Sequence, residues 1–183
     1  MKYFLLGAIL LICAAGASVS AWEPADLAKY PDCTKAGDFL INFGVGLSVP
    51  NDGLGSGYVY VPPVRVSVDY NIPIGAGKLP FFAGGVAGYS GYGYRNEWFY
   101  SSISFGGRFG YHFNWGIEKL DTYAVLSAGW IIYAGDYRPA ETGMPLAGFN
   151  AGGRYYLAKT FGFWAELGFT TFSWIDVGVT LKF

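Results

Sequence analysis

Arg65, Asp69, Arg108, Arg154, Glu166, Asp176 and Lys182 are the charged residues whose spacing points to chemistry. In an extended strand, side chains alternate faces with period 2. By that period all seven share a face with glycine, serine and asparagine, opposite the aliphatic and aromatic residues. On an enclosed face a guanidinium group needs a carboxylate partner, because an unpaired buried charge is very costly. The expected chemistry is therefore mutual neutralisation, an internal salt-bridge network that uses Asp69 and Glu166. Arg65, Asp69, Arg108, Arg154 and Glu166 fall at broadly similar depth along their strands. The arginines outnumber those two carboxylates, which leaves room for a bound anion or for a selectivity element in a small pore.

Other reactive residues are few. His112 is the only histidine, so any histidine-dependent chemistry must use it. It falls on the same inward phase near the end of its strand, with the Ser101–Ser104 cluster too far away for the hydrogen-bond reach a nucleophile and base require. The expectation is a satisfied interfacial histidine, with no catalytic residue, no cofactor site and no metal site. Cys33 reads as a bystander in a tail. Gly84-Gly85, Gly106-Gly107 and Gly152-Gly153 are not phosphate loops, since no helix or Lys-Ser/Thr follows them; within strands they ease close packing and curvature.

Eight strand-like segments carry these residues: 38–49, 58–72, 79–90, 97–113, 121–133, 147–157, 161–171 and 174–183. The first sets Phe39, Ile41, Phe43, Val45 and Leu47 against Asn42, Gly44 and Gly46. The third and fifth have no clear phase, the fifth being apolar on both faces. Pro62-Pro63 interrupts the second, and a residue that cannot donate to a ladder suits a bulge. Each segment has roughly the 9–11 residues that a tilted strand needs to cross a bilayer. If the first runs outward, the longest connection, Ala134–Leu146, lies outside. Tyr58, Tyr60, Tyr92, Tyr94, Trp98 and Tyr137 would form an outer aromatic girdle, and Trp115, Tyr123, Tyr155 and Phe161 an inner one.

Composition agrees. The 183 residues allow one domain; they are 52% hydrophobic and only 14% charged, which is poor in charge for a soluble protein. No run of about 18 apolar residues follows the amino terminus, so helical spans are not expected. A net charge of −1 leaves no electrostatic footprint for nucleic acid. Lys2, the apolar run Phe4–Ala15 and the small residues Val19-Ser20-Ala21 read as an export signal, residues 1–21. Residues 22–36 read as a periplasmic lead, and 37–183 as the barrel. A soluble β-sandwich would alternate too, but its polar face should be rich in Lys, Glu and Thr, which this one is not.

The alternating last strand ends on Phe183, and with the export signal it resembles the closing strand of small bacterial outer-membrane barrels of the OmpA/OmpX type. The resemblance covers residues 37–183 and rests on architecture, signal and terminal Phe183. It implies an all-β fold, an eight-stranded antiparallel up-and-down transmembrane barrel. It also implies a monomer among outer-membrane lipids, with Phe183 serving as the insertion signal for the barrel-insertion machinery. The expected function is non-enzymatic, structural or surface-interacting. The alternatives are a narrow pore for ions or small apolar molecules, and a lipid-A-modifying barrel enzyme.

Overall fold

The computed structural model describes residues 29–47, 58–75, 79–94, 98–135 and 142–183. The expected export signal, residues 1–21, and the side chains of Tyr58, Tyr60, Tyr94, Trp98 and Tyr137, lie outside the described residues. Eight strands follow one another: β1 (Phe39–Leu47), β2 (Tyr58–Asn71), β3 (Phe81–Tyr94), β4 (Trp98–Phe113), β5 (Leu120–Gly135), β6 (Gly143–Tyr156), β7 (Phe161–Thr170) and β8 (Ile175–Lys182). Each pairs antiparallel with the next, and β8 pairs with β1 from Leu40↔Lys182 to Leu47↔Ile175, closing the barrel. Closure removes every unpaired edge, the one all-β solution that leaves no exposed ladder.

The period-2 pattern explains the wall. Phe43, Leu126, Phe149 and Phe169 point outward and are more than half exposed, at 54%, 60%, 55% and 65%. Asn42, Asp69, Arg154 and Thr180, on the opposite phase, are fully buried. The prolines sit where a register shift falls between Val61 and Val64, so the missing N–H groups coincide with an irregularity. At the β4–β5 turn, Gly116 N–H donates to Asn114 Oδ1 at 2.8 Å while Gly116 adopts φ 68°, a left-handed conformation that suits glycine.

Several elements differ from the sequence reading. β3 turns Phe82, Val86 and Ser90 inward, and β5 turns Asp121, Tyr123, Val125, Ser127 and Ile131 inward, which resolves both phases. Tyr123 is thus a lumen residue and no part of an aromatic girdle, and Tyr92 shares the inward phase of Ser90. β5 and β6 extend into the expected long connection and leave 136–142; the β1–β2 connection, 48–57, is longer. Trp174 precedes β8, is exposed and packs beside Phe169 with ring centroids 6.3 Å apart.

Residues 29–38 are no free tail. They fold across the end of the barrel where β1 begins and β8 ends. The Tyr30 hydroxyl lies 2.9 Å from the Ile72 carbonyl oxygen and 2.7 Å from that of Phe81. Asn114 Nδ2 donates to the Tyr30 carbonyl at 3.1 Å, and Lys182 Nζ donates to the Cys33 carbonyl. These contacts make the segment a cap on that mouth.

Candidate functional site: an ion-pair ladder in the lumen

Inward-facing glycines make room for inward-facing rings. A Cβ on Gly110 would lie 2.2 Å from the Phe82 ring, and one on Gly152 would lie 2.3 Å from the Tyr123 ring. Phe82, Tyr123, Val125 and Trp164 therefore fit together as a buried cluster inside a narrow barrel. Nearer the opposite mouth lies a second apolar layer, Val86, Ile131, Leu146 and Phe172. Phe172 comes from the β7–β8 connection. Thr170 Oγ1 accepts the Phe172 and Ser173 N–H groups at 3.2 and 2.8 Å and donates to the Ser173 carbonyl at 2.5 Å, so the short loop tucks Phe172 inward.

Charged groups thread past the aromatic cluster in alternating sign. Asp176 pairs with Arg65 at 2.5 Å, and Arg65 with Glu166 at 3.1 Å. Glu166 pairs with Arg108 at 2.5 Å, and Arg108 with Asp69 at 2.9 Å. Asp69 pairs with Arg154 at 2.5 Å, Arg154 with Asp121 at 2.7 Å, and Asp121 with His112 Nδ1 at 2.6 Å. The side chains in this ladder are at most 4% exposed, so its ions have lost their water and depend on one another.

Polar neighbours add further hydrogen bonds to the ladder, although Arg108 Nη1 finds no hydrogen-bond partner among the described residues. Trp164 Nε1–H donates to the Tyr123 hydroxyl at 2.6 Å, and that hydroxyl donates to Glu166 Oε1 at 2.7 Å. Asn150 Nδ2 donates to Glu166 Oε2 at 3.0 Å, and Arg154 Nε to Asn42 Oδ1 at 2.9 Å. The Arg154 guanidinium carbon also sits 4.2 Å from the Tyr123 ring centroid, within cation–π range.

The structure brings Arg65, Asp69, Arg108, Arg154, Glu166 and Asp176 into this one ladder and leaves Lys182 outside it. Lys182 is on the cap, against the Cys33 carbonyl and the Tyr156 ring. Sequence reasoning missed Asp121, because its strand is apolar on both faces and gave no phase. With Asp121 counted, four carboxylates face three guanidinium groups, so the expected arginine excess, and the room for an anion it implied, does not exist. His112 is satisfied, as expected, and lies one residue from the end of β4. It is fully buried at the end of the ladder, with Nε2 3.0 Å from Asn71 Oδ1. The signal that could have found Asp121 was its position next to the β4–β5 turn, directly across from the end of the strand that carries His112.

Phe183 continues the wall. Its N–H donates to the Phe39 carbonyl at 2.9 Å and its carbonyl accepts from Phe39 N–H at 3.0 Å, while its ring is 68% exposed. Among the described residues no group of three or more His, Cys, Asp and Glu has a metal-binding arrangement, and no helix is long and apolar enough to cross a membrane, which says nothing of a barrel.

A closed antiparallel wall of eight strands, apolar outside and ionic within, is the fold of the small outer-membrane β-barrels. Solved structures share it at low sequence identity. The outer membrane protein OprG from Pseudomonas aeruginosa is 13% identical, over 84% of this chain and 99% of that one, with a TM-score of 0.57. The Yersinia pestis outer membrane protein Ail, solved in a phospholipid bilayer nanodisc, is 10% identical over 80% of this chain and 99% of that one, with a TM-score of 0.52. No protein-family model and no curated protein matches the chain.

Proposed function

We propose that this chain is a monomeric integral protein of the bacterial outer membrane, exported by a cleaved amino-terminal signal. Its role is structural or surface-interacting, and it is neither an enzyme nor an open channel. The observation that carries this reading is the inversion of the barrel. Large aromatic and aliphatic side chains cover the outside, where water would penalise so extensive an apolar surface, while the ions are sealed within. Hydrocarbon is the solvent that accepts such a wall. Outer-membrane lipids are then its partners, and the β8 strand ending in Phe183 is its handle for the insertion machinery. The cap of residues 29–38, with the start of β1 and the end of β8, faces the periplasm. An eight-stranded barrel filled by its own side chains has no room for a water column.

Catalysis finds no support in the lumen, since both ring nitrogens of His112 are occupied by Asp121 and Asn71 rather than by a hydroxyl. The narrow-conduit reading has one observation in its favour. A cleft of about 240 Å³, counting the solvent at its mouth, is lined by Arg65, Ser104, Ser127 and Phe172 among others. It ends on Arg65, the start of the ladder.

Reconstitution in planar bilayers tests the function. The protein should give no stepwise conductance above the bare membrane, and regular ohmic steps would replace the plugged barrel with a pore. Location is tested separately by gel mobility in detergent. Heated and unheated samples should migrate differently, whereas recovery as a soluble periplasmic monomer would end the membrane reading.

A further inference from the structure

Where the ladder meets the cap, the hydrogen-bond donors and acceptors determine a charge. Asn71 Nδ2 donates to the backbone carbonyl of Lys35 at 2.9 Å. A carbonyl can only accept, so this contact fixes which way the Asn71 amide points. Its other end, Oδ1, then faces His112 Nε2 at 3.0 Å, and Oδ1 also can only accept. The opposite ring nitrogen, Nδ1, faces the carboxylate of Asp121 at 2.6 Å. Two acceptors on two ring nitrogens require two N–H groups.

Charge counting reaches the same state by another route. Asp69, Asp121, Glu166 and Asp176 against Arg65, Arg108 and Arg154 leave one negative charge among fully desolvated groups. An imidazolium at His112 cancels it.

We propose that His112 is a buried imidazolium acting as a proton-operated latch, which through Asn71 holds residues 34–38 closed over the mouth of the barrel where β1 begins and β8 ends. Loss of the Nε2 proton leaves a lone pair facing the Asn71 oxygen. Asn71 can then turn its NH₂ toward His112, but only by presenting its oxygen to the Lys35 carbonyl, so one of the two bonds must fail. Either way this side-chain tie between the ladder and the cap is lost. The Tyr30 hydroxyl on the Ile72 and Phe81 carbonyls, Asn114 Nδ2 on the Tyr30 carbonyl and Lys182 Nζ on the Cys33 carbonyl still hold the far part of the cap, so the latch governs the stretch around Lys35, between Thr34 and Asp38.

The groups around His112 make the latch specific to this ring. β5 supplies Asp121 and Tyr123, β2 supplies Asn71 and Asp69, β6 supplies Arg154 and β3 the Phe82 ring, centroid 4.8 Å away. From the cap, the Tyr30 ring lies 5.6 Å from the imidazole, with Asp38, Cys33 and the Lys182 ammonium beyond it. Burial pushes the Tyr30 hydroxyl and the Cys33 thiol both up to about 12, with the Asp38 and Asp121 carboxylates adding to the two shifts respectively, so both keep their protons near neutral pH.

The test uses ¹⁵N-labelled protein folded in detergent micelles. Because His112 is the sole histidine, its two ring nitrogens are the only imidazole signals in the spectrum. Amide exchange at Thr34, Gly37 and Asp38 reports the cap, and exchange at Phe43 reports the wall, both corrected for the intrinsic effect of pH. Both ring nitrogens should carry protons wherever the cap amides are protected. As the second proton leaves, cap exchange should accelerate at least tenfold while Phe43 stays unchanged. An Asn71→Asp variant separates the latch from the charge. Its carboxylate still accepts from the imidazolium but offers the Lys35 carbonyl no donor, so the cap should loosen tenfold with His112 still charged. A bare ring nitrogen beneath a protected cap, or cap protection indifferent to the His112 proton, overturns the proposal. Should Asn71→Asp fail to fold, the pH series on the unaltered protein decides alone.

Discussion

Glu166 is the residue whose loss the ladder should feel most sharply. It is 1% exposed and accepts from Arg108 at 2.5 Å, Arg65 at 3.1 Å, the Tyr123 hydroxyl at 2.7 Å and Asn150 at 3.0 Å. Glu166→Gln keeps the shape but removes the charge, and its new NH₂ must face a donor on one side. Breaking a buried pair by removing one partner costs about 3–5 kcal/mol. Arg65 keeps Asp176 and Arg108 keeps Asp69, so the lower end of that range, about 3 kcal/mol, is expected here. Arg108→Met should cost about as much, because it takes one of two arginine partners from both Glu166, which keeps Arg65, and Asp69, which keeps Arg154. Removing both leaves Arg65 with Asp176 and Arg154 with Asp69 and Asp121. The double variant should therefore lose about 4 kcal/mol rather than the sum of about 6, a coupling near 2 kcal/mol. Reversible urea unfolding in micelles, followed by tryptophan fluorescence, measures all three; Trp164 is joined to Glu166 through the Tyr123 hydroxyl, two hydrogen bonds away, and reports on the site. The slope of free energy against urea should stay constant, since the same surface is exposed each time. Additivity to within about 0.5 kcal/mol would mean the two groups do not share a desolvated network, and the argument for a sealed lumen would fall with it.

Phe172→Ala should widen the cleft at the far mouth and cost about 2–3 kcal/mol, at or below the usual range because the site lies near solvent, yet leave the bilayer silent because the ladder lies below it. Appearance of conductance steps in that variant would show that Phe172, not the ladder, is the seal. Alkylation of the Cys33 peptide, read by mass spectrometry, should at pH 8 be about a thousandfold slower in the folded protein than after denaturation, since burial pushes the thiol up to about 12 and only the thiolate reacts. Equal rates would place Cys33 in open water. Deleting Phe183 should reduce assembly into heat-modifiable barrel far more than Lys159→Ala in the exposed β6–β7 turn, and equal yields would remove the case for Phe183 as an insertion signal. Gly152→Ala should cost about 1–3 kcal/mol in the same urea assay by driving a methyl group into the Tyr123 ring, and a neutral result would mean that ring can move.

The strand pattern was readable in the sequence wherever the lumen side is polar. β1, β2, β7 and β8 alternate cleanly because Asn42, Ser67, Asp69, Glu166 and Asp176 stand opposite aromatic and branched residues. β3 and β5 hid their phase for a shared physical reason. Their inward positions hold Phe82 and Tyr123, which pack against glycines of other strands, and Val86, Val125 and Ile131, which pack against other buried apolar side chains instead of meeting water. A rule of polar-in and apolar-out fails where a small barrel fills its own interior. That failure concealed Asp121 and with it the true charge balance. The cap was illegible for a different reason, since residues 29–38 have no periodicity and are held by side-chain-to-carbonyl bonds from distant strands.

The ladder also orders the events of assembly. Its rungs alternate between early and late parts of the chain: Arg65 on β2 meets Glu166 on β7 and Asp176 on β8, and Arg108 on β4 bridges Asp69 to Glu166. A sheet holding only the first six strands has Arg65 and Arg108 facing inward with the counter-ions of β7 and β8 still absent. Such a sheet keeps its concave side wet and resists sinking into hydrocarbon. Only when β8 docks along β1 do Arg65 and Arg108 hold their full set of carboxylates, so the strand that shuts the seam also completes the ladder. The ion pairs thus form as a set only in a closed barrel, and an unfinished one carries the cost of the missing partners.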